Sequence, residues 1–255
     1  MAGHSHWAGI KHKKAVIDSK RGKAWSKCSK AIIVAAKLGG GDAGMNPRLR
    51  LAIADAKAVN MPNDTIARAI KKGTGELEGG NVDEVLYEGY GPNGVAILCD
   101  IVTDNRNRTA PEIRKLFEVN GGKLGATNCV AYLFERKGLF VFSVDGANEE
   151  RLMEIALEAG AEDIKHSGDK LELLCEPDVF ATVSDALEAA DITAESKEIA
   201  RIPSVTVELD LEGARQVLKL MELLDDHDDV QSVSANFDIS DEVIAILSDD
   251  STQAR

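Results

Sequence analysis

The sequence is poor in aromatic residues and contains no closely spaced pair of cysteines. Aromatic side chains make up 4% of the 255 residues, so the hydrophobic cores have to be built mainly from Val, Ile, Leu and Ala. The four cysteines lie far apart, and they are Cys28, Cys99, Cys129 and Cys175. Their neighbours are apolar, which predicts buried and reduced thiols in a cytoplasmic protein.

Long apolar runs and catalytic fingerprints are missing as well. No segment approaches membrane-spanning length, and the N-terminal MAGHSHWAGIKHKK lacks the apolar core of a secretory signal. The sequence has no GxSxG, Walker loop, Rossmann fingerprint or HExxH, and Cys129 has no His near it in sequence. We therefore expect a cytoplasmic protein that is not an enzyme, with no cofactor, no bound metal, no membrane contact and no small-molecule substrate.

The net charge of −13 hides a strong segregation of charge along the chain. Residues 1–75 contain fifteen Lys or Arg and four Asp, a net charge of +11, whereas the rest of the chain carries a net charge of −24. Such asymmetry is typical of a polyanion-binding module on an acidic carrier. A second interpretation stays open, in which each block only solvates its own surface or the two blocks attract each other.

Five lysines in the N-terminal part recur at the spacing of one helix face. At about 100° per residue they fall within an arc of roughly 100°. These residues are Lys20, Lys23, Lys27, Lys30 and Lys37. A mostly apolar set falls on the opposite side, and it consists of Trp25, Cys28, Ile32, Ala35 and Ala36. The pattern predicts a helix that packs against protein on one face and presents ammonium groups to a negative partner on the other.

The first dozen residues are rich in Gly and His and are not expected to form a stable helix. Three histidines lie here, His4, His6 and His12. A metal site would need further ligands, and no Cys or acid is close in sequence, so we favour a flexible arm that contacts phosphates. Trp7 has two open interpretations, as a stacking platform for a base or as an anchor of the arm on the helical core.

Three helices are predicted in the basic N-terminal part. The first runs over about residues 18–38 and is ended by three glycines. Asn46 and Pro47 predict the start of the second helix, with Asn as the cap and Pro in the first turn. A third helix is expected from Pro62 to Gly73, followed by a glycine-rich linker. We predict a basic helical domain over residues 1–78.

Beyond this domain the pattern changes to alternating strands and helices. The first part reads as two strands joined by a Gly-Pro-Asn-Gly turn, a helix and a third strand, over residues 85–90, 95–102, 110–119 and 129–134. Residues 138–201 read as βαββαβ, the pattern of ferredoxin-like folds. The last β-α-β segment has too few strands to close a core alone, so we join it to the first part.

The predicted fold is therefore an α+β multidomain protein with a small N-terminal helical domain followed by two ferredoxin-like α/β domains, one inserted into the other. Its predicted parts are residues 1–78, a discontinuous domain of 79–134 and 204–240, an inserted domain of 135–203, and an acidic tail of 241–255.

Four sequence blocks together resemble the YebC family. They are GHSHWAGIKHKKAVIDSKRGK, IARAI in the third helix, YEGYGPNGVA and TDNRNRT. The resemblance covers roughly residues 2–240 and implies an N-terminal helical domain, two α/β domains and a role as a probable transcriptional regulator. Relatives include a mitochondrial translational activator of cytochrome c oxidase, and bacterial members are linked to ribosome function. Two positions depart from the pattern, because His6 replaces a common Lys and Asn128-Cys129-Val130 replaces a common Gly-Ser-Val.

Two further clusters have two interpretations each. Arg106 and Arg108 are expected in a loop between a strand and a helix, where guanidinium groups suit phosphate oxygens. The alternative is a network that orders the loop through Asp100, Asp104 and Glu112. The acidic run 225–229 is expected to be a solvated turn rather than a cation site.

The prediction for function is a non-enzymatic nucleic-acid-binding regulator of gene expression that contacts DNA through the basic N-terminal domain. One alternative is a ribosome-associated translation factor that binds ribosomal RNA, and another is an acidic adaptor whose basic domain docks onto carboxylates of its own or another chain. The expected partners are DNA or ribosomal RNA, together with the ribosome or the transcription machinery. The candidate nucleic-acid-binding residues are His4, Trp7, Lys11, His12, Lys13, Lys14, Lys20, Arg21, Lys23, Lys27, Lys30, Lys37, Arg106 and Arg108.

Overall fold

The structure is a computed structural model that describes residues 18–79, 81–144, 149–167, 170–240 and 242–247. For residues 18–21 and 167 the description covers the backbone only. The helices are α1 (Asp18–Gly39), α2 (Pro47–Ala58), α3 (Asn63–Gly73), α4 (Arg106–Val119), α5 (Glu149–Glu158), α6 (Phe180–Ala189), α7 (Leu211–Asp225) and α8 (residues 242–247). The strands are β1 (Asp83–Tyr90), β2 (Ala96–Thr103), β3 (Lys123–Leu124), β4 (Phe134–Ser143), β5 (Ala161–Ser167), β6 (Lys170–Cys175), β7 (Ser196–Pro203), β8 (Val207–Leu209), β9 (Val230–Ala235) and β10 (Phe237–Ile239).

Helices α1, α2 and α3 pack together at the N-terminal end of the described chain. Asn46 caps α2, because its side chain accepts a hydrogen bond from the backbone N–H of Leu49 (3.0 Å) and donates one to the carbonyl of Ala35 on α1 (2.8 Å). Gly73 ends α3 directly against the backbone of α1 at Ile33, a close approach that a larger side chain would block. The predicted start of α2 at Asn46-Pro47 is confirmed.

The core of this helical part extends into the neighbouring sheet. Ile32, Leu49 and Ala56 are fully buried between the three helices. Val82, just before β1, and Val102 on β2 are buried in the same hydrophobic cluster. The helices are therefore fixed on the rest of the protein by apolar contacts as well as by polar ones.

The first sheet has the strand order β3-β1-β2-β9 with antiparallel neighbours, and β8 and β10 form a parallel pair beside it. The predicted hairpin is confirmed, since β1 and β2 pair across a short turn in which Asn93 and Gly94 have positive φ. Helices α4 and α7 share a buried apolar core with this sheet. Because β9 follows α7 late in the chain, the sheet joins two distant segments.

Strands β4 to β7 pair only with one another within the described residues. Their order is β5-β6-β4-β7 and all neighbours are antiparallel, which is the arrangement of a ferredoxin-like βαββαβ fold. Phe140, Leu173 and Val183 are buried between this sheet and helices α5 and α6. The α+β architecture expected from the sequence is confirmed, while the exact division into domains stays an interpretation of the strand pairing.

Two predicted elements differ from the structure. Helix α4 begins at Arg106 rather than Ala110, because the side chain of Asn105 caps it by accepting from the N–H of Arg108 (3.2 Å). The strand predicted over residues 129–134 is wrong. Residues 129–133 form a loop with one short 3-10 turn, Ala131–Leu133, around the buried carboxylate of Glu88, and the strand β4 begins only at Phe134.

The Glu88 side chain explains this loop. It is 2% exposed and accepts hydrogen bonds from the backbone N–H groups of Asn128 (2.7 Å), Val130 (3.0 Å) and Ala131 (2.8 Å). Burial alone would raise the pKa of Glu88, but these three N–H groups outweigh it and lower the pKa. Loop backbone groups that a strand would have paired with a neighbour are here satisfied by one side chain.

Candidate nucleic-acid interface

The predicted division of α1 into an apolar and a cationic face is present in the structure. Ile32, Ala35 and Ala36 are buried, and Trp25 and Cys28 pack against the same helical core. The indole N–H of Trp25 donates to the carbonyl of Val59 at the end of α2 (3.0 Å). The apolar face therefore fixes the direction in which the lysines point.

Lys23, Lys27 and Lys30 of α1 contact a segment far away in sequence, residues 225–229, which we call the acidic turn. Lys23 Nζ donates to the carbonyl of Asp226 (3.0 Å). Lys27 Nζ donates to the carbonyl of Asp225 (2.5 Å) and lies 3.3 Å from its Oδ1. Lys30 Nζ donates to the carbonyl of Asp228 (2.9 Å) and to Asp229 Oδ1 (2.5 Å).

The acidic turn attracts cations for a second reason besides its carboxylates. Helix α7 ends at Asp225, so the carbonyls of its last turn have no partner inside the helix and carry the negative end of the helix dipole. Lys23 and Lys27 donate to carbonyls at this end. The lysine face of α1 thus caps the C-terminus of α7.

Asp229 is the centre of the contact. Its side chain is 3% exposed, and besides Lys30 it accepts from Thr109 Oγ1 (2.6 Å), Arg108 Nη2 (2.8 Å) and Thr103 Oγ1 (3.2 Å). Burial by itself would raise the pKa of this carboxyl, but the hydrogen bonds from Lys30, Thr109 and Arg108 hold it well below its ordinary value. Asp229 is therefore ionised across the physiological range.

The lysine face is thus occupied by this protein's own acidic turn, contrary to the expectation that it faces an external anion. Lys37 instead donates to the carbonyl of Val82 (3.1 Å), just before β1. Charge complementarity within the chain is the physical reason for the contact with the acidic turn, because the C-terminus of α7 and its carboxylates offer negative partners to Lys23, Lys27 and Lys30. Whether these lysines also bind nucleic acid stays a prediction.

Arg106 and Arg108 do not lie in a loop, as expected, but in the first turn of α4. Cations are unfavourable at a helix N-terminus unless they are neutralised, and both have carboxylate partners. Arg106 Nε donates to Asp83 Oδ2 (3.0 Å), and Arg108 Nη2 donates to Asp104 Oδ1 (3.1 Å) in addition to Asp229. An ordering network, the alternative interpretation, is present, but of its three expected acids only Asp104 takes part, together with Asp83 and Asp229.

The other two acids expected near these arginines have different partners. Asp100 receives a two-pronged hydrogen bond from Arg201 of β7, with Nε and Nη2 at 3.0 and 2.8 Å from its two oxygens. Glu112 Oε2 lies 3.1 Å from His227 Nε2. His227 Nδ1 accepts from the N–H of Asp229 (3.1 Å), so the ring stabilises the acidic turn from within.

Several candidate residues lie outside the described residues or are described in part. His4, Trp7, Lys11, His12, Lys13 and Lys14 precede residue 18. Lys20 and Arg21 lie in the first turn of α1, where the description covers the backbone only. Sequence reasoning missed Asp229 as the partner of Lys30 and Arg108. The available signal was the run of four Asp around His227, opposite in charge to the lysines of α1.

The cysteines give no support to nucleophilic catalysis. None of the four is in a disulfide. Burial and, to a smaller extent, Asp55 raise the pKa of Cys28 to about 11, and burial raises the pKa of Cys175 to about 11. Burial and the nearby Glu88 also raise the pKa of Cys129. These thiols are protonated at neutral pH, whereas a nucleophilic Cys needs a depressed pKa.

Across the described ranges we find no group of three His, Cys, Asp or Glu side chains placed to hold a metal ion. The carboxylate of Asp229, in the run considered as a cation site, contacts a lysine and an arginine. No helix in the same ranges has the length and apolar character needed to cross a membrane.

Comparison with known families covers almost the whole chain. A family model described as the TACO1/YebC protein N-terminal domain matches residues 5–76, and one described as the TACO1/YebC second and third domain matches residues 82–237. The chain belongs to the TACO1/YebC family. The resemblance seen in the sequence blocks is thereby confirmed.

TACO1/YebC relatives are similar over their full length. A probable transcriptional regulatory protein of Rhodopirellula baltica is 56% identical over 246 residues, which are 96% of this chain and 100% of that protein. A probable transcriptional regulatory protein of Maridesulfovibrio salexigens is 53% identical, with 98% and 100% covered. The crystal structure of a conserved hypothetical protein from Aquifex aeolicus is 48% identical, with a TM-score of 0.83, and covers 92% of this chain and 98% of that one.

Proposed function

We propose that this chain is a non-enzymatic, nucleic-acid-binding regulator of gene expression that contacts DNA through its N-terminal helical domain. The observation that carries the proposal is the net charge of +11 over residues 1–75 of an otherwise acidic chain. Neutralisation of phosphates by Lys and Arg supplies most of the sequence-independent affinity for nucleic acid. The name that its relatives carry, probable transcriptional regulatory protein, supports a regulatory role.

The proposed contact residues fall into two groups. The first group precedes the described residues and would act as an arm along the phosphate backbone: His4, Trp7, Lys11, His12, Lys13 and Lys14. The second group comprises the cations of α1 and the two arginines of α4. Lys23, Lys27, Lys30 and Arg108 contact the acidic turn, so each of them would have to exchange its protein partner for a phosphate.

A salt titration of the full-length protein tests the proposal. Binding of a labelled DNA duplex and of a structured ribosomal RNA fragment is measured by fluorescence anisotropy between about 50 and 200 mM salt, the range over which phosphate contacts lose affinity steeply. We expect a linear fall of log K with log salt, with a slope of about −3 or steeper. Absence of binding to either nucleic acid at the lowest salt would overturn the proposal.

A matched pair of variants locates the contact. Lys13→Gln with Lys14→Gln should weaken binding and make the salt slope shallower by roughly 2, because two phosphate contacts are lost. Lys115→Gln with Lys219→Gln removes the same charge from exposed positions on α4 and α7 and should leave affinity unchanged within about twofold. The relative affinity for DNA and ribosomal RNA separates a transcriptional from a ribosome-associated role.

A second candidate function is an adaptor whose basic domain docks onto carboxylates. The contact between Lys23, Lys27 and Lys30 and the acidic turn favours it, because the same lysine face already binds acidic protein groups. An adaptor would bind neither nucleic acid in the titration above.

A further inference from the structure

The side chains of five cations of α2 and α3 differ from those of Lys23, Lys27, Lys30 and Lys37 in having no hydrogen bond or ion pair in the part of the chain that the structure describes. They are Arg50, Lys57, Arg68, Lys71 and Lys72, and we call them the α2–α3 row. Four of them are exposed and Lys72 is half-buried. Arg48, the remaining cation of these helices, is paired with Glu84 of β1.

The cations of the row lie outside the buried stripes of α2 and α3. On α3 the buried residues are Ile66 and Ala69, and at 100° per residue Arg68 and Lys71 lie on the opposite side, while the half-buried Lys72 lies on one flank. Spacing of three and four residues places these three side chains next to one another on successive turns. The apolar contacts of α3 therefore hold three positive charges together at the surface.

Helix α2 adds two cations on one flank. Leu49, Ala52 and Ala56 are buried, while Arg50 and Lys57 are seven residues apart and so lie on the same side, separated by about 10 Å along the helix. The acidic residue of α2, Asp55, lies on the other flank, where Glu198 and Lys197 of β7 are near enough to shift its pKa. The flank that carries Arg50 and Lys57 is thus not neutralised by an acid of its own helix.

Clustered like charges without partners are unfavourable in the free protein, since neighbours at i and i+4 repel each other. Asp64, in the first turn of α3, is the one acid of that helix, and it is at the right spacing for Arg68 but forms no ion pair with it in the described structure. A ligand with regularly spaced negative charges would remove this repulsion. Nucleic acid has that character, with one phosphate charge per about 1.7 Å of duplex axis.

We propose that the α2–α3 row is the surface that binds the phosphate backbone of nucleic acid while α1 remains docked on the acidic turn. This inference rests on the proposed function and assigns the contact to residues other than the lysines of α1. The row consists of Lys and Arg, which contact phosphate groups rather than bases, so it contributes affinity that depends little on base sequence. Nucleic acid then binds without breaking the contact to Asp229.

Two matched double variants of the full-length protein test the assignment. Arg50→Gln with Lys57→Gln removes two charges from the row, and Lys115→Gln with Lys219→Gln removes two exposed charges from α4 and α7. We expect the first variant to bind the DNA duplex at least about fivefold more weakly at 150 mM salt, with a salt slope shallower by roughly 2. The second variant should stay within about twofold of the unaltered protein.

We expect a triple change on α3 to weaken DNA binding more than the double change on α2. Arg68→Gln, Lys71→Gln and Lys72→Gln together should lower affinity by more than about tenfold and reduce the slope by roughly 3, since Gln keeps the helix propensity and removes three charges. Arg68→Lys retains the charge and should retain binding. Circular dichroism and the unfolding midpoint serve as controls of folding, and both should be unchanged for these solvent-facing positions.

The outcomes separate the inference from the function on which it rests. If the unaltered protein binds no nucleic acid, the proposed function fails. If it binds, but the row variants retain full affinity, the row is not the site and the proposed function stands. If the row variants alone weaken binding, the inference is supported.

Discussion

Helix α1 and the α2–α3 row both carry cations at helical spacing, but they differ in whether those cations have partners within the protein. Lys23, Lys27 and Lys30 of α1 lie against the C-terminus of α7 and the carboxylates that follow it, with Lys30 bonded to an aspartate whose side chain is 3% exposed. The cations of the row have no partner among the described residues. Helical periodicity thus identifies a cationic face, whereas only the tertiary structure shows whether the protein itself already fills it.

The contrast has a simple electrostatic origin. A cation at an exposed site interacts with partners in high dielectric and gains little from pairing, generally below about 1 kcal/mol. The contact of Lys30 with Asp229 is largely desolvated and is supported by Arg108 and Thr109. Removal of Lys30 or of Asp229 leaves a buried charge without its partner or breaks the hydrogen-bond network. Substitutions at this contact should therefore lower the stability of the protein much more than substitutions in the α2–α3 row.

The largest effect is expected at Asp229. Asp229→Ala should lower the free energy of unfolding by about 3 kcal/mol, because Lys30, Arg108 and Thr109 lose their common acceptor. Asp228→Asn is the control, since that side chain is exposed and only its backbone carbonyl accepts from Lys30. Urea denaturation of both variants measures the difference, and equal stability of the two would mean that the acidic turn does not hold α1.

Lys30 and Lys71 give the most direct comparison between the two surfaces. Lys30→Met should lower the free energy of unfolding by about 2 kcal/mol, because it leaves the buried carboxylate of Asp229 with one fewer hydrogen-bond donor. Lys71→Met should change stability by less than about 0.5 kcal/mol, as at other exposed positions. The unfolding midpoints of the two variants measure this difference. A loss of stability in Lys71→Met as large as that in Lys30→Met would contradict the distinction between the two surfaces.

Lowering the pH should weaken the contact between α1 and the acidic turn over a defined range of pH. The pKa of Asp229 is lower in the folded protein than the ordinary value near 4, so the unfolded state takes up the proton first as pH falls. The stabilisation by this carboxylate is complete above about pH 5 and declines by up to about 1.4 kcal/mol per pH unit below about pH 4. Urea denaturation at each pH should show the stability difference from Asp229→Asn shrinking over that range, and a constant difference would argue against this origin.

The smallest effect on stability is expected at Asp55, which lies on the flank of α2 near Glu198 and Lys197 of β7. Burial and repulsion by Glu198 raise its pKa to about 6, against a smaller opposing effect of Lys197. Ionised Asp55 therefore destabilises the folded protein above about pH 6, and this penalty disappears as the folded state takes up the proton between about pH 6 and pH 4.

Asp55→Asn should accordingly stabilise the protein at pH 8 by less than about 1 kcal/mol, because part of the residue remains exposed and water there screens both the cost of burial and the repulsion. The gain should vanish near pH 4. Asp64→Asn on the exposed surface of α3 is the control. Thermal unfolding at the two pH values measures both variants, and a gain that persists in acid would have another cause.

Most of the helical part follows from local sequence signals. Asn46 and Pro47 start α2, the glycines after residue 38 end α1, and the apolar spacing of Ile32, Ala35 and Ala36 fixes which face is buried. These signals act within one or two turns and require no knowledge of distant residues. The ferredoxin-like order of β4 to β7 follows similarly from alternating elements of ordinary length.

The occupant of the lysine face could not be predicted in the same way. Lys30 and Asp229 are 199 positions apart, and no local pattern connects them. The start of α4 was misplaced because Asn105 was not recognised as its cap, which moved two arginines from a helix into a loop. The segment 129–134 was misread as a strand because its backbone partners are the oxygens of Glu88, a side chain about 40 positions earlier.

The separation between Lys30 and Asp229 also determines an order of events during synthesis. Translation adds about 5–20 residues per second, so α1 leaves the ribosome roughly 10–40 s before the aspartate that will neutralise it. Each newly made molecule therefore passes through a period in which Lys23, Lys27 and Lys30 have no acidic turn to contact. Their contact forms only after residues 225–229 have been made, and the pairing of β9 with β2 needs still later residues.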